Sequence, residues 1–245
     1  MRLNSPRKPA SLPPGVGLYG RDRGRVVSVG RWVWVSKIAW ILTGGWEGHQ
    51  PGRAAAIISE MLTPHGFDVT VCTSLDVLQD ESALREVDLI VPNWTQGQIA
   101  RPLLTNWLTA VREGGTGVAG MHGGMGDAFR TEPPYQEMVG GQWVSHPGGE
   151  GATYSIQISD PTHPLTEGVP EFTVTTEQYY MHVDPVISVH ATTRFGDVVM
   201  PVVWTKHFGR GRIFYCSIGH RPELLLRPEL ATMMTRGLLW AARGS

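Results

Sequence analysis

The feature that most constrains this 245-residue chain is a set of short, continuously apolar segments that alternate with helical patterns over its first half. Residues 37–43 (KIAWILT) run apolar into Gly44 and Gly45, and residues 67–73, 88–92 and 116–121 have the same character. Between them, residues 51–65 carry apolar side chains at 54, 57, 58, 61 and 62, with Pro51 in the first turn and Gly66 past the end. That is the punctuation of a helix. Residues 84–87 belong to a short helix, and residues 101–112 form an amphipathic helix closed by Gly114 and Gly115. A strand that is apolar on both sides must be covered on both faces, so the pattern predicts an α/β three-layer sandwich around a mostly parallel sheet.

The second half changes character. Residues 153–159 and 186–192 alternate as half-buried strands, residues 201–205 and 212–218 flank Gly209-Arg210-Gly211 as a hairpin, and residues 228–242 form a final helix. Residues 1–36 are rich in proline, glycine and basic side chains and lack either period, so they are expected to be a disordered or loosely packed extension to a domain spanning 37–245. Within that extension, residues 31–35 (RWVWV) are apolar enough to pair as an extra strand.

A formal net charge of −1 offers no basic excess for a phosphate backbone, which argues against nucleic acid as a partner. No stretch reaches the ~20 apolar residues of a membrane span, and no apolar signal-peptide core follows the N-terminal positive charges, so a cytoplasmic location is expected. Cys72 and Cys216 each lie inside an apolar strand, as buried structural thiols do.

Ligands of parallel sheets bind beyond the carboxyl ends of the strands. That rule selects the loops holding Gly45, Trp46 and His49, Trp94, His122, and His220. Gly120-Met121-His122-Gly123-Gly124 follows a strand and opens a helix, the shape of a nucleophile elbow. The raised residue is histidine, and at a helix N-terminus a neutral imidazole is favoured. Neither a Walker lysine nor a GxGxxG is present to support a nucleotide cofactor.

Several segments, in this order, resemble the ThuA-like (trehalose-utilisation) family of the class I glutamine amidotransferase-like superfamily. They are Thr43-Gly44-Gly45 with His49, the elbow at His122, His146-Pro147, Asp160-Pro161-Thr162-His163-Pro164, Glu177-Gln178-Tyr179, Pro201 to Trp204, Gly209 to Arg212, and Gly219-His220. The resemblance spans about residues 37–243 and implies a flavodoxin-like sandwich with a role in sugar metabolism. In class I amidotransferases the elbow carries cysteine. Here it carries His122, so glutamine hydrolysis and cysteine-protease chemistry lack their nucleophile. His220 falls where the amidotransferase triad histidine is expected, with Glu223 close behind.

The expected catalytic residues are His122, Glu177 and His220, with Gly45, Trp46, His49, Trp94, His146 and Tyr179 lining the substrate site. Glu177 is the choice for general acid or base, and His146 sits on a glycine-rich loop able to fold over the site. Trp46, Trp94 and Trp143 are expected in loops, where flat rings suit the C–H faces of sugars. Glu177, Tyr179, Tyr180, His182 and Asp184 read as one polar–aromatic cluster. His163, His190 and His207 read as structural or exposed.

His49, His122, His146 and His220 with Glu177 would make a cluster of the kind that holds a divalent metal such as zinc, with His49, His122 and His220 as the first candidate ligands, although no HxxxH or HxH pair fixes their geometry. The expected partner is a small-molecule carbohydrate, with a homo-oligomer left open. The expected activity is acid–base or metal-assisted hydrolysis, isomerisation or elimination of a keto-sugar. The alternatives are a non-catalytic sugar- or partner-binding domain and an inactive, regulatory amidotransferase-like subunit.

Overall fold

The computed structural model describes residues 26–28, 31–33 and 36–244. The chain falls into two units, Met1–Val35 and Ser36–Ser245. In the first, strands β1 (Val26–Ser28) and β2 (Arg31–Val33) pair antiparallel, with Val26 opposite Val33. The extra strand read at 31–35 is therefore present over its first three residues. The rest of the expectation for residues 1–36 falls outside the described residues, apart from Ser36.

The second unit is built on a nine-stranded sheet. Its elements run β3 (Lys37–Gly45), α1 (Pro51–Leu62), β4 (Phe67–Cys72), α2 (Glu81–Glu86), β5 (Leu89–Thr95), α3 (Arg101–Arg112) and β6 (Gly117–Met121), then α4 (His122–Gly126) and α5 (Pro133–Val139). The later elements are β7 (Gly141–Ser145), β8 (Thr153–Ile158), β9 (Phe172–Thr175), β10 (Tyr180–Val183), β11 (Ser188–Phe195), β12 (Val198–Phe208), β13 (Gly211–Cys216) and α6 (Pro228–Ala241). The strand order is β4-β3-β5-β6-β13-β12-β11-β8-β9. The strands from β4 to β13 are parallel, and the remaining pairings are antiparallel.

Alternation along β3 shows why the layers form. Ala39 and Ile41 enter one core cluster, with the α1 side chains Ile57, Ile58 and Leu62 and the α6 side chains Leu230, Met233 and Leu238. Leu42 enters a second cluster, with Leu103, Leu104 and Trp107 of α3 and Tyr135 and Met138 of α5. The sheet thus has one core on each face, as its two-sided apolar strands require. Burial on this scale is the main driving term of folding.

β3 lies inside the sheet. The chain steps outward from it to β4, then returns on its other side to β5. This reversal opens a crevice at the carboxyl ends of β3 and β5. β7 and β10 form a separate antiparallel ribbon. Neither strand was read from the sequence, because both are short and β7 opens on glycine. Trp143, expected in a loop, lies on β7. No helix among the described residues is long and apolar enough to cross a membrane.

Candidate functional site

The elbow forms where β6 meets α4. Met121 is still extended, whereas His122 adopts a left-handed backbone with φ 43°. A non-glycine residue in that region is uncommon and costly, and such residues concentrate at functional sites. Gly123 follows because α4 approaches the loop after β3 closely: a Cβ there would lie 2.5 Å from His49 Cε1. The His122 side chain is buried. Its Nδ1 lies 2.8 Å from the Ser217 carbonyl, and its ring stacks on Tyr179 at 4.0 Å.

His49 reaches the same place from the other side of the crevice. Gly45 turns the end of β3 with φ 81°, and Trp46 N–H donates to the Thr95 carbonyl. Asn93 Nδ2 donates to the Pro51 carbonyl, which fixes the start of α1. The His49 ring, between these anchors, bonds through Nδ1 to Thr95 Oγ1 at 2.7 Å. His220 follows β13 and lies 5.1 Å from His49 and 5.7 Å from His122, ring centre to ring centre.

The ribbon supplies the carboxylate. Glu177 and Tyr179 precede or begin the turn into β10, and His146 follows β7. Glu177 Oε2 lies 3.1 Å from His122 Nε2, 3.1 Å from His146 Nδ1 and 3.3 Å from His220 Nδ1. The His146 and His220 Nδ1 atoms are buried and make no hydrogen bond.

The proton inventory of this cluster does not close on itself. A carbonyl oxygen only accepts, so His122 Nδ1 carries the hydrogen bonded to Ser217. The neutral ring then turns a lone pair at Nε2 toward Glu177. Burial holds His122 below its ordinary pKa against the pull of Glu177 and Ser217. Burial, with the neighbouring histidines, lowers His49 to about 3. For Glu177 burial works upward, but the imidazoles around Oε2 outweigh it and lower the carboxyl to about 2. The neutral His122 imidazole therefore faces an ionised carboxylate, lone pair against lone pair. A proton or a cation between them resolves that arrangement.

One ligand atom from each of His49, His122, Glu177 and His220 lies within 4.8 Å of the others. Imidazole nitrogens with one carboxylate are the donor set of zinc and related divalent ions. Two of the rings that face Glu177 are also oriented from behind, His122 by Ser217 and His220 by Glu150 Oε2 at 3.3 Å from Nε2. Outer partners of this kind are what fix ligating imidazoles.

The structure thus gathers His49, His122, His146, Glu177, Tyr179 and His220. Trp46 stands at the rim, 48% exposed, with its ring edge-on to His49 at 4.8 Å. Gly45 shapes the turn. Trp94 departs from the expected arrangement. Asn93 and Thr95 face the crevice, so alternation along β5 turns Trp94 to the opposite face, where it packs against Gly44 and Gly97.

Two further expectations are corrected. Glu223 does not back His220 but pairs with Arg53 at the surface, and Glu150 takes the place behind His220. α4 is only five residues long, so His122 owes its neutrality to burial, not to a helix dipole. Of the polar–aromatic cluster, only Glu177 and Tyr179 reach the site. His182 is exposed and Asp184 pairs with Lys206. The sequence reading passed over Glu150, Thr95 and Ser217. Glu150 had a signal, a lone carboxylate within Gly148-Gly149-Glu150-Gly151. Ser217 had none, because it acts through its backbone.

Fold and site together define a flavodoxin-like three-layer α/β protein whose elbow presents a histidine–carboxylate cluster instead of a thiol nucleophile. The chain belongs to the ThuA family, described as trehalose utilisation, which matches residues 38–241. In architecture it is similar to a ThuA-like protein from Parabacteroides merdae, with TM-score 0.71 and 18% identity over 86% of this chain and 91% of that one. It is equally similar to one from Bacteroides uniformis, with TM-score 0.71 and 15% identity over 88% and 95%. The same fold recurs within a β-galactosidase from Bacillus circulans sp. alkalophilus, with TM-score 0.55 and 11% identity over 84% of this chain and 30% of that one. No curated protein matches the sequence.

Proposed function

We propose that the protein is an enzyme of carbohydrate metabolism that uses its histidine–carboxylate cluster, loaded with a divalent cation, in acid–base chemistry on a sugar derivative such as a keto-sugar. The observation that carries this reading is the placement of Glu177 Oε2 within 3.1–3.3 Å of three ring nitrogens, two of them buried without a hydrogen bond. The family description, trehalose utilisation, supports the substrate class.

His122, His220 and Glu177 would hold the cation, which when bound supplies a Lewis acid for a sugar oxygen. His49 stays neutral at physiological pH, and in the tautomer whose Nδ1 donates to Thr95 Oγ1 its other nitrogen is a proton acceptor. Trp46 at the rim offers an exposed apolar ring for the C–H face of a sugar. Tyr179, stacked on His122, keeps that ring from swinging.

The test is elemental analysis of protein purified without chelator, beside His122→Ala and Glu177→Gln, with turnover assayed on disaccharides and their oxidised derivatives. The reading expects near-stoichiometric metal and sugar turnover in the parent, with both lost in each variant. A parent that carries no metal and turns over no sugar overturns it.

A further inference from the structure

The segment between β7 and β8 crosses the site as a strap. It leaves β7 at Ser145, turns at Gly148 and Gly149 with φ 89° and 61°, and passes through a short turn at Gly149–Gly151 before entering β8. Gly149 N–H closes the turn onto the His146 carbonyl. The strap touches the site twice. His146 places Nδ1 3.1 Å from Glu177 Oε2, and Glu150 places Oε2 beside His220 Nε2.

His146 differs from His49 in what its inward nitrogen does. His49 offers a ligand atom within 4.8 Å of those of the cluster, but its Nδ1 is bonded to Thr95 and its ring meets His122 edge-on. His146 Nδ1 is buried, makes no hydrogen bond and lies beside the same carboxylate oxygen that His122 and His220 approach. Each of those three nitrogens lies 3.1–3.3 Å from Oε2.

The strap's own fastening is weak. Arg221 reaches Glu150 Oε2 at 2.7 Å through Nη2 and at 3.1 Å through Nε, but both side chains are about half exposed. A pair so open to water stabilises little. That is little to hold a buried imidazole nitrogen that makes no hydrogen bond.

We propose that His146 is a ligand of the bound cation, so that His122, His146, His220 and Glu177 form the set, His49 stays outside it, and loading the site fastens the strap. This rests on the cation reading given above. Three imidazoles and one carboxylate suit zinc, cobalt or another late first-row divalent ion.

The experiment uses the full chain, stripped with chelator and titrated with Co²⁺ alone, following visible absorption and binding. Parent, His146→Ala and His49→Ala are compared. His146 is 40% exposed in its side chain, so its truncation leaves the fold intact. The expected result is one Co²⁺ per chain in the parent, an altered spectrum and affinity at least about tenfold weaker in His146→Ala, and a parental spectrum in His49→Ala.

A second readout is cleavage after Glu150 by a glutamate-specific protease, which Co²⁺ slows in the parent but not in His146→Ala. A His146→Ala protein that keeps the parental spectrum, affinity and protection overturns this proposal alone. A His49→Ala protein that loses the parental spectrum also overturns it. A parent that binds no Co²⁺ overturns it together with the cation reading.

Discussion

His122 and Gly123 illustrate how narrow the tolerances are at the residue scale. A methyl group at Gly123 would sit 2.5 Å from His49 Cε1, and that ring is held by Thr95. Gly123→Ala should therefore cost about 1–3 kcal/mol by overpacking. In a urea melt, His49→Ala in the same background should recover part of that loss. An unchanged midpoint for Gly123→Ala would mean that the approach is looser than described.

His190 offers a pH test away from the site. It is buried, its ring is tilted against that of His163 at 4.1 Å, and it is bonded through Nε2 to Thr205. Burial, aided by His163 and opposed by Asp160, lowers its pKa to about 4. Above pH 6.5 the ring is neutral folded or unfolded and contributes nothing. Below it only the unfolded chain takes up the proton, so stability falls between about pH 6.5 and pH 4. At about 1.4 kcal/mol per pKa unit the loss reaches about 3 kcal/mol. Denaturation at pH 7 and pH 4.5 should show a smaller difference for His190→Gln than for the parent by about 2 kcal/mol. Equal differences would remove His190 as a source of acid sensitivity.

The ribbon of β7 and β10 is the element on which the site depends most, since Glu177, Tyr179 and His146 all lie at its ends. Lys206 of β12 ties it down. Its buried ammonium bonds Asp184 Oδ2, just past β10, at 2.6 Å and also donates to the Glu137 carbonyl of α5. Removing one partner of a largely buried pair is costly, and Asp184 is partly exposed, so Lys206→Met should lose about 2–3 kcal/mol. Because the loss loosens the ribbon, cation binding should weaken as well, which a Co²⁺ titration reads. Full stability would show that the ribbon is held by apolar packing alone.

This element was also the least legible in the sequence. The strands of the sheet's parallel half announce themselves by continuous apolar runs, whereas β7 and β10 are four or five residues long and stand outside the main sheet, with Gly141 of β7 against Trp204 of β12. Their pairing is non-local, and nothing in the period of either strand specifies its partner. Glu177 and His146 were therefore chosen from motif context, and their convergence could not be read.

Over the whole molecule, two cores flank one sheet, and each cysteine lies within them. Cys72 and Cys216 are both buried, and burial raises both thiols, Cys216 to about 12. Neither should react with iodoacetamide at pH 8 until the fold opens, so labelling in urea should track global unfolding. Labelling well below the unfolding midpoint would show that a layer opens on its own.

The sequence alone determined the α/β layering, most of the sheet's strands and main helices, and the glycine-bounded elbow at His122. These depend on local period and backbone freedom, which a short window of residues contains. Tertiary structure alone decided which nitrogens meet Glu177, that Trp94 turns away, and that Glu150 and not Glu223 stands behind His220. His122 is 55 residues from Glu177 and 95 from Ser217. Contacts at that separation are set by strand order and by the docking of the ribbon, and these follow from how the whole chain buries its apolar faces.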